Sequence, residues 1–334
     1  MKICGIIAEY NPFHQGHIYQ LQSIQNQFDA IVVILSAYYS QRGLPSLLKP
    51  NDKANFALTY GANLVCQLPA HFTCQSAEYF AKYAIESLSY LGIDALCFGS
   101  ECHSLTQLEE WNDLIQSKKV KPNLSLHQTL PERIQANDLL GLHYLQECKK
   151  NGIQAIPIAR NPNFESATSI RNAFFNGERK QFDAYFHQEQ NWQNYYPYLQ
   201  TFLLLSSASD LSSYFLVNEG IEYRLKKAAN NPDWDSFLQA AISKTYTKAR
   251  IQRTCLMILL QIKKSEMKNL HFNEVQVLGF DSIGQKILKQ NKNKKIITKF
   301  HQLSAFEQTI ESKTLTLYNS VMKNKIQREE VLHP

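Results

Sequence analysis

Two histidines three positions apart, His14 and His17, follow an apolar run made of Ile3, Gly5, Ile6, Ile7 and Ala8. Imidazoles at that spacing can each donate a hydrogen bond to a phosphate oxygen. The apolar run reads as a buried strand of a parallel sheet, and residues 17–26 have helical character. The His-x-Gly-His tetrad therefore stands where a strand turns into a helix. Open α/β sheets gather ligands at the carboxyl ends of their strands, and the free N–H groups that open a helix favour anions. Gly16 has no Cβ, so a nucleotide can approach its backbone closely. A pair of surface histidines beside a turn is the competing reading. The strand before and the helix after favour a nucleotide site.

The elements that must position these residues alternate along the first half. AIVVILS (residues 30–36), LVCQLP (64–69), ALCFGS (95–100) and AIPIAR (155–160) read as further strands. Helical patterns lie between them at residues 52–63, 76–92, 105–117 and 136–152, with a polar connection at 118–128, and residues 167–177 open one more helix. Such alternation describes a doubly wound parallel α/β sheet. Arg42 and Gly99 fall at carboxyl ends of strands, where Gly99 either lets a nucleotide come close or makes a plain tight turn, and Arg42 either meets an anionic ligand or forms a structural ion pair. From residue 178 the alternation stops and helical patterns dominate, with VQVLGF (275–280) the one convincing strand. This places a boundary near residue 180, between a catalytic domain (1–180) and a mainly helical domain (181–334).

Hydrophobic residues at 44% and charged residues at 19% exclude a disordered chain. No apolar run approaches the ~20 residues of a membrane span, and the start of the chain carries no secretory signal pattern, so a cytoplasmic protein is expected. The seven cysteines form no CxxC pair, which argues against a disulfide framework or a structural zinc site. Residues 241–300 hold 13 Lys and Arg against 3 Asp and Glu, a net of +10, while the rest of the chain is net negative. That concentration is the footprint of a nucleic-acid-binding surface, with a solvated helical face as the alternative. Within it, Lys248, Arg250 and Arg253 lie in YTKARIQR (246–253). Arg250 and Arg253 share a helix face, Lys248 points elsewhere, and Tyr246 either stacks on an RNA base or anchors the helix start.

His14-Gln15-Gly16-His17 after a strand resembles the signature of the HIGH-type nucleotidyltransferases. EYNPFHQGH (9–17), SQRGLPSLL (40–48), GANLVCQLP (61–69), SAEYFA (76–81), FGSE (98–101) and SATSIR (166–171) occur in the order found in the tRNA(Met) cytidine acetate ligase family. The resemblance implies a Rossmann-like ATP-binding core. It further implies that acetate is activated as acetyl-adenylate and passed to N4 of the wobble cytidine of elongator tRNA(Met). On this resemblance His14, His17 and Arg171 act on the triphosphate, His17 first among them. The ATP site takes in Ile7, Ala8, Glu9, Tyr10, Asn11, Pro12, Phe13, Gln15, Gly16, Gly99 and Asn137 as well. Glu9 and Asn11 are candidates to order Mg²⁺ through water, the ion itself riding on the triphosphate. No protein-only metal site is expected, and the resemblance allows a homodimer. Two other readings stand beside it: a nucleotidyltransferase making a small-molecule cofactor, and a non-catalytic RNA- or ribosome-associated protein. The basic region speaks against the first and the intact histidine pair against the second.

Overall fold

The structure, a computed structural model, describes residues 1–117, 134–268, 270, 272–328 and 330–333. The polar connection expected over residues 118–128 lies outside these. The first half alternates as the patterning requires: β1 (Ile3–Ala8), α1 (Gln15–Ile24), β2 (Ala30–Ser36), α2 (Pro50–Thr59), β3 (Leu64–Leu68), α3 (Ala70–Thr73), α4 (Ala77–Leu91), β4 (Ala95–Ser100), α5 (Leu105–Ser117), α6 (Ala136–Asn151), β5 (Gln154–Ala159) and α7 (Ala167–Phe175). Helix α2 starts two residues earlier than the sequence pattern indicates. Pro50 occupies its opening turn, where a missing N–H costs nothing and the fixed φ suits a helix.

The sheet runs β5-β4-β1-β2-β3-β6-β7, and its first five strands are parallel. Every residue of β2 is buried, because helices cover both faces. Val32 and Ile34 point into one core with Leu88 and Leu142. Ile31, Val33 and Leu35 point into the other with Leu21 and Ala57, as the two-residue period of a strand demands. The order reverses at β1, which has β2 on one side and β4 on the other. The crevice at the carboxyl ends of β1 and β4 is therefore the switch point where such sheets bind ligands.

The second half packs α8 (Trp192–Leu205), α9 (Ala208–Ser212), α10 (Ile221–Ala228), α11 (Trp234–Ala241), α12 (Lys248–Leu259) and α13 (Lys264–Met267), then adds β6 (Val275–Phe280), α14 (Ser282–Gln290), β7 (Ile296–Ile297) and α15 (Ala305–Ser320). Its core is aromatic: Trp192 stacks on Trp234 at 4.4 Å, with Phe237 and Tyr196 alongside. The sheet takes strands from both sides of the boundary expected near residue 180. β6 pairs antiparallel with β3, and β7 pairs parallel with β6. Gly284 at the start of α14 makes this return possible. A Cβ there would stand 2.0 Å from the Asn63 carbonyl oxygen, so only glycine lets α14 close against the turn before β3. Among the described residues no helix is long and apolar enough to cross a membrane.

One buried cation holds the carboxyl edge of the sheet together. Lys53 on α2 is 1% exposed, and its Nζ donates at 2.8 Å to the carbonyl oxygens of Glu9, Ser36 and Ala37. Three acceptors use all three protons of the ammonium. Burial pulls its pKa down to about 7, with Glu9 acting in the opposite direction. Lys53→Met should leave three carbonyls without their donor. At about 1–3 kcal/mol for each buried unsatisfied group, urea unfolding should report a loss of at least ~3 kcal/mol. A loss under ~1 kcal/mol would show that water replaces the amine without strain.

Candidate active site at the β1–α1 turn

After Ala8 the chain makes a compact loop whose side chains mostly turn inward. Tyr10, in the left-handed region at φ 45°, and Phe13 are buried and pack edge to face at 4.8 Å. The Asn11–Pro12 peptide is cis. Asn11 is also buried. Its Nδ2 donates to the Pro45 carbonyl and its Oδ1 accepts from the Leu47 N–H, each at 3.0 Å. This differs from the expectation that Asn11 orders magnesium-bound water, because its side chain is used in tying the two loops together. Glu9 keeps a carboxylate oxygen free: Oε1 accepts from the Gln41 N–H at 2.6 Å, and no hydrogen bond reaches Oε2 among the described residues.

His14 is the N-cap of α1 and His17 its third residue, and each accepts from backbone through Nδ1. Gly16 N–H donates to His14 Nδ1 at 3.0 Å, and His14 N–H donates to His17 Nδ1 at 3.2 Å. The rings lie 3.8 Å apart, and Tyr10 meets His17 edge-on at 4.7 Å. With Nδ1 accepting, a neutral ring must carry its proton on Nε2. Both rings are held neutral. Burial pulls His14 down to about 4, with Arg160 adding to the effect. Burial, then His14, Arg160 and Lys53, take His17 well below its ordinary value. The capping geometry thus yields two Nε2–H donors of fixed tautomer. Gly16 also serves the histidine pair. A Cβ would meet the His14 ring at 2.8 Å, so the glycine makes room for the imidazole that folds back over it.

The other candidates lie around this pair. Arg171, half-buried on α7, reaches the Asn11 carbonyl through Nη1 and Thr168 Oγ1 at 3.1 Å through Nη2. Gly99 opens on space: an added Cβ would meet only Arg160, at 3.6 Å or beyond. Asn137 sits inside the first turn of α6, two residues after Gln135 at the N-cap position, and donates to Glu101 Oε1 at 2.6 Å. The same carboxylate oxygen accepts from Arg160 Nη1 at 3.0 Å. Arg160 and Lys53 escaped the sequence reading. Arg160 ends AIPIAR at the carboxyl end of β5, a position that was itself a signal. Lys53 had none, since a lone lysine in a helical stretch reads as solvated surface. Ile7 and Ala8 are the last residues of β1, and Gln15 faces outward to Gln181.

The basic candidates divide. Tyr246 anchors the start of α12, its hydroxyl donating to the Glu219 carbonyl at 2.5 Å, while Arg250 covers its ring at 5.0 Å and pairs with Glu219 at 3.0 Å. Lys248 is exposed. Arg253 is half-buried and within electrostatic reach of Arg42 and Cys74.

A parallel sheet with paired imidazole donors at the first strand–helix turn of its switch crevice defines a nucleotidyl-transferring α/β protein. The chain belongs to the HIGH nucleotidyl transferase family, whose model matches residues 1–135 and 127–331, and within it to the tRNA(Met) cytidine acetate ligases. Proteins of that name from Anoxybacillus flavithermus and Staphylococcus carnosus are 31% and 30% identical to it. The first alignment covers 87% of each chain, the second 96% of this chain and 95% of the relative. A Mesomycoplasma hyopneumoniae ligase is 34% identical over 78% of this chain and 93% of its own. The crystal structure of Thermotoga maritima TmcAL bound with alpha-thio ATP superposes with a TM-score of 0.85 at 23% identity, covering 99% of this chain and 97% of that one.

The neutral histidine pair has a measurable consequence. Unfolded imidazoles protonate near ~6.5, whereas folded His14 resists until about 4. The unfolded state therefore binds more protons in this window, so the contribution to stability is complete above about 6.5 and declines as pH falls toward 4. The thermal midpoint of the wild type should drop on acidification through that range, and a His14→Gln, His17→Gln variant should drop less. Parallel pH profiles would mean that the two rings titrate normally.

Proposed function

We infer that the chain is an ATP-dependent ligase that activates acetate and acetylates N4 of the wobble cytidine of elongator tRNA(Met). In the first step an acetate oxygen bonds to the α-phosphorus of ATP while the bond to the β-phosphate bridging oxygen breaks, releasing pyrophosphate. In the second, cytidine N4 bonds to the acetyl carbon, the bond to AMP breaks and N4 loses a proton. The observation that carries this reading is the pair of neutral, tautomer-fixed imidazoles at the mouth of the switch crevice.

In this reading His14 and His17 donate through Nε2–H to the triphosphate as charge grows on the departing pyrophosphate. Little covalent work falls to the protein in such a step, so positioning and preorganised donors dominate. Arg160, oriented by Glu101, and Arg171, oriented by Asn11 and Thr168, bring positive charge to either side. Gly99 leaves space for the nucleoside. Among the described residues no three His, Cys, Asp or Glu side chains are placed to hold a metal, so Mg²⁺ would arrive on the triphosphate. Glu9, with Oε2 free, is the residue to hold its water. When bound, the ion neutralises phosphate charge. The basic helical half supplies affinity for tRNA.

Two measurements test this. ATP–pyrophosphate exchange should require acetate, and labelled acetate should enter tRNA only when ATP is present; incorporation from acetyl-CoA without ATP would remove the reading. His17→Ala should cost about 10²–10³ in exchange rate, the usual effect of removing one preorganised donor. It should lose only about 1 kcal/mol of stability with the cap. Near-normal exchange in that variant would take the triphosphate away from the histidines.

A further inference from the structure

The turn that carries Arg42 is pressed between the two halves of the molecule. At one end the Gln41 N–H is bonded to Glu9 in the catalytic loop. At the other, Gly43 lies against α12: with φ at +75°, a Cβ there would stand 2.9 Å from the Arg253 backbone nitrogen and 3.0 Å from the Gln252 carbonyl carbon. Trp192 Nε1 donates to the Gly43 carbonyl at 2.9 Å and fixes the turn. This close approach brings Arg42 and Arg253 together from opposite halves.

Neither guanidinium has a matching anion. Among the described residues neither Arg42 nor Arg253 makes a hydrogen bond or an ion pair, in contrast to Arg250, which pairs with Glu219. Arg253 is half-buried, and burial pulls its pKa down to about 10; Arg250 and Arg42 push the same way, and the neutral Cys74 thiol is the one group that opposes them. Arg171 also lies within reach of Arg42, and its one carboxylate neighbour is Glu9, an oxygen of which is already taken by Gln41. A desolvated cation without a partner is costly unless an anion completes it.

We propose that Arg42 and Arg253 form a binding site for an RNA phosphodiester next to the acceptor cytidine, built across the seam between sheet and helices. This rests on the ligase reading given above. A phosphodiester suits the site better than a small carboxylate. Arg42 is exposed, open to a polyanion arriving from solvent, and the exposed Lys248 extends the positive face at the start of α12. The seam position would draw the backbone of the target nucleotide toward the crevice while the triphosphate occupies the β1–β4 side.

The test is a cycle of protein and RNA changes. Wild type, Arg253→Gln and Arg42→Gln are assayed for acetyl transfer to tRNA(Met) assembled with one neutral methylphosphonate on either side of the acceptor cytidine. In the wild type one of the two linkages should raise KM about tenfold, the usual effect of losing one hydrogen bond to a charged group. Each arginine variant should raise KM for unmodified tRNA by a similar factor and show little further penalty from that methylphosphonate. The exposed Arg42 serves as the second probe should Arg253→Gln fold poorly, which thermal melting reports. The proposal fails if both variants keep the full methylphosphonate penalty, or if they raise KM for acetate in ATP–pyrophosphate exchange run without RNA, which would assign the site to the carboxylate. A wild type that transfers nothing to unmodified tRNA overturns the ligase reading and this site with it.

Discussion

The two loops that leave β1 and β2 are tied together by Lys53. Two parallel strands end side by side, and the loops leaving them go different ways: 9–14 toward the histidines and 37–48 toward the helical half. Carbonyl groups at such ends have no strand partner and repel one another. One ammonium, buried between Glu9, Ser36 and Ala37, satisfies three of them at once and fixes the spacing of the two loops. Asn11 then repeats the tie further out, bridging to Pro45 and Leu47. The histidines are rigid because the loop that carries them is held at both levels.

That rigidity explains how a site for a highly charged ligand is made from uncharged donors. Imidazolium rings 3.8 Å apart would repel each other in the free protein. Keeping both neutral removes that strain and still leaves two N–H groups aimed outward. The positive charge stands further off, on Arg160 and Arg171, each held by a hydrogen-bond partner. A triphosphate entering the crevice would itself raise the imidazole pKa values, so the donors strengthen in response to the ligand.

The fold was largely legible in the sequence because its signals are periodic. Five apolar runs separated by helical stretches dictate a parallel sheet, and the tetrad after the first run marks the switch crevice. What escaped was partner choice, which periodicity does not encode. Val275–Phe280 reads as a strand, but its antiparallel seat on β3 depends on Gly284 meeting Asn63, some 220 positions away in sequence (from 63 to 284). In the site the motif residues were visible and some of their roles were not. Gly16 makes room for the His14 ring, and Asn11 is a staple. Lys53 was hidden because a buried lysine and a surface lysine look alike until their acceptors are known.

The tyrosines at positions 38 and 39 carry the same lesson to the seam. In a loop beside the catalytic turn they could be taken for pocket residues. Tyr39 is instead 1% exposed in the helical core, beside Tyr195 and Cys74, and Tyr38 packs edge to face on Tyr318 at 5.3 Å. Tyr318 in turn donates to the Ser46 carbonyl. The loop from β2 therefore contributes its large side chains to the helical half and its backbone to the catalytic half, through Gln41 and Glu9. Tilting the helices would have to pull on the same backbone that positions Glu9. The seam is thus a mechanical link: a ligand bound on α12 and a nucleotide bound over β1 would share one short loop as their common support.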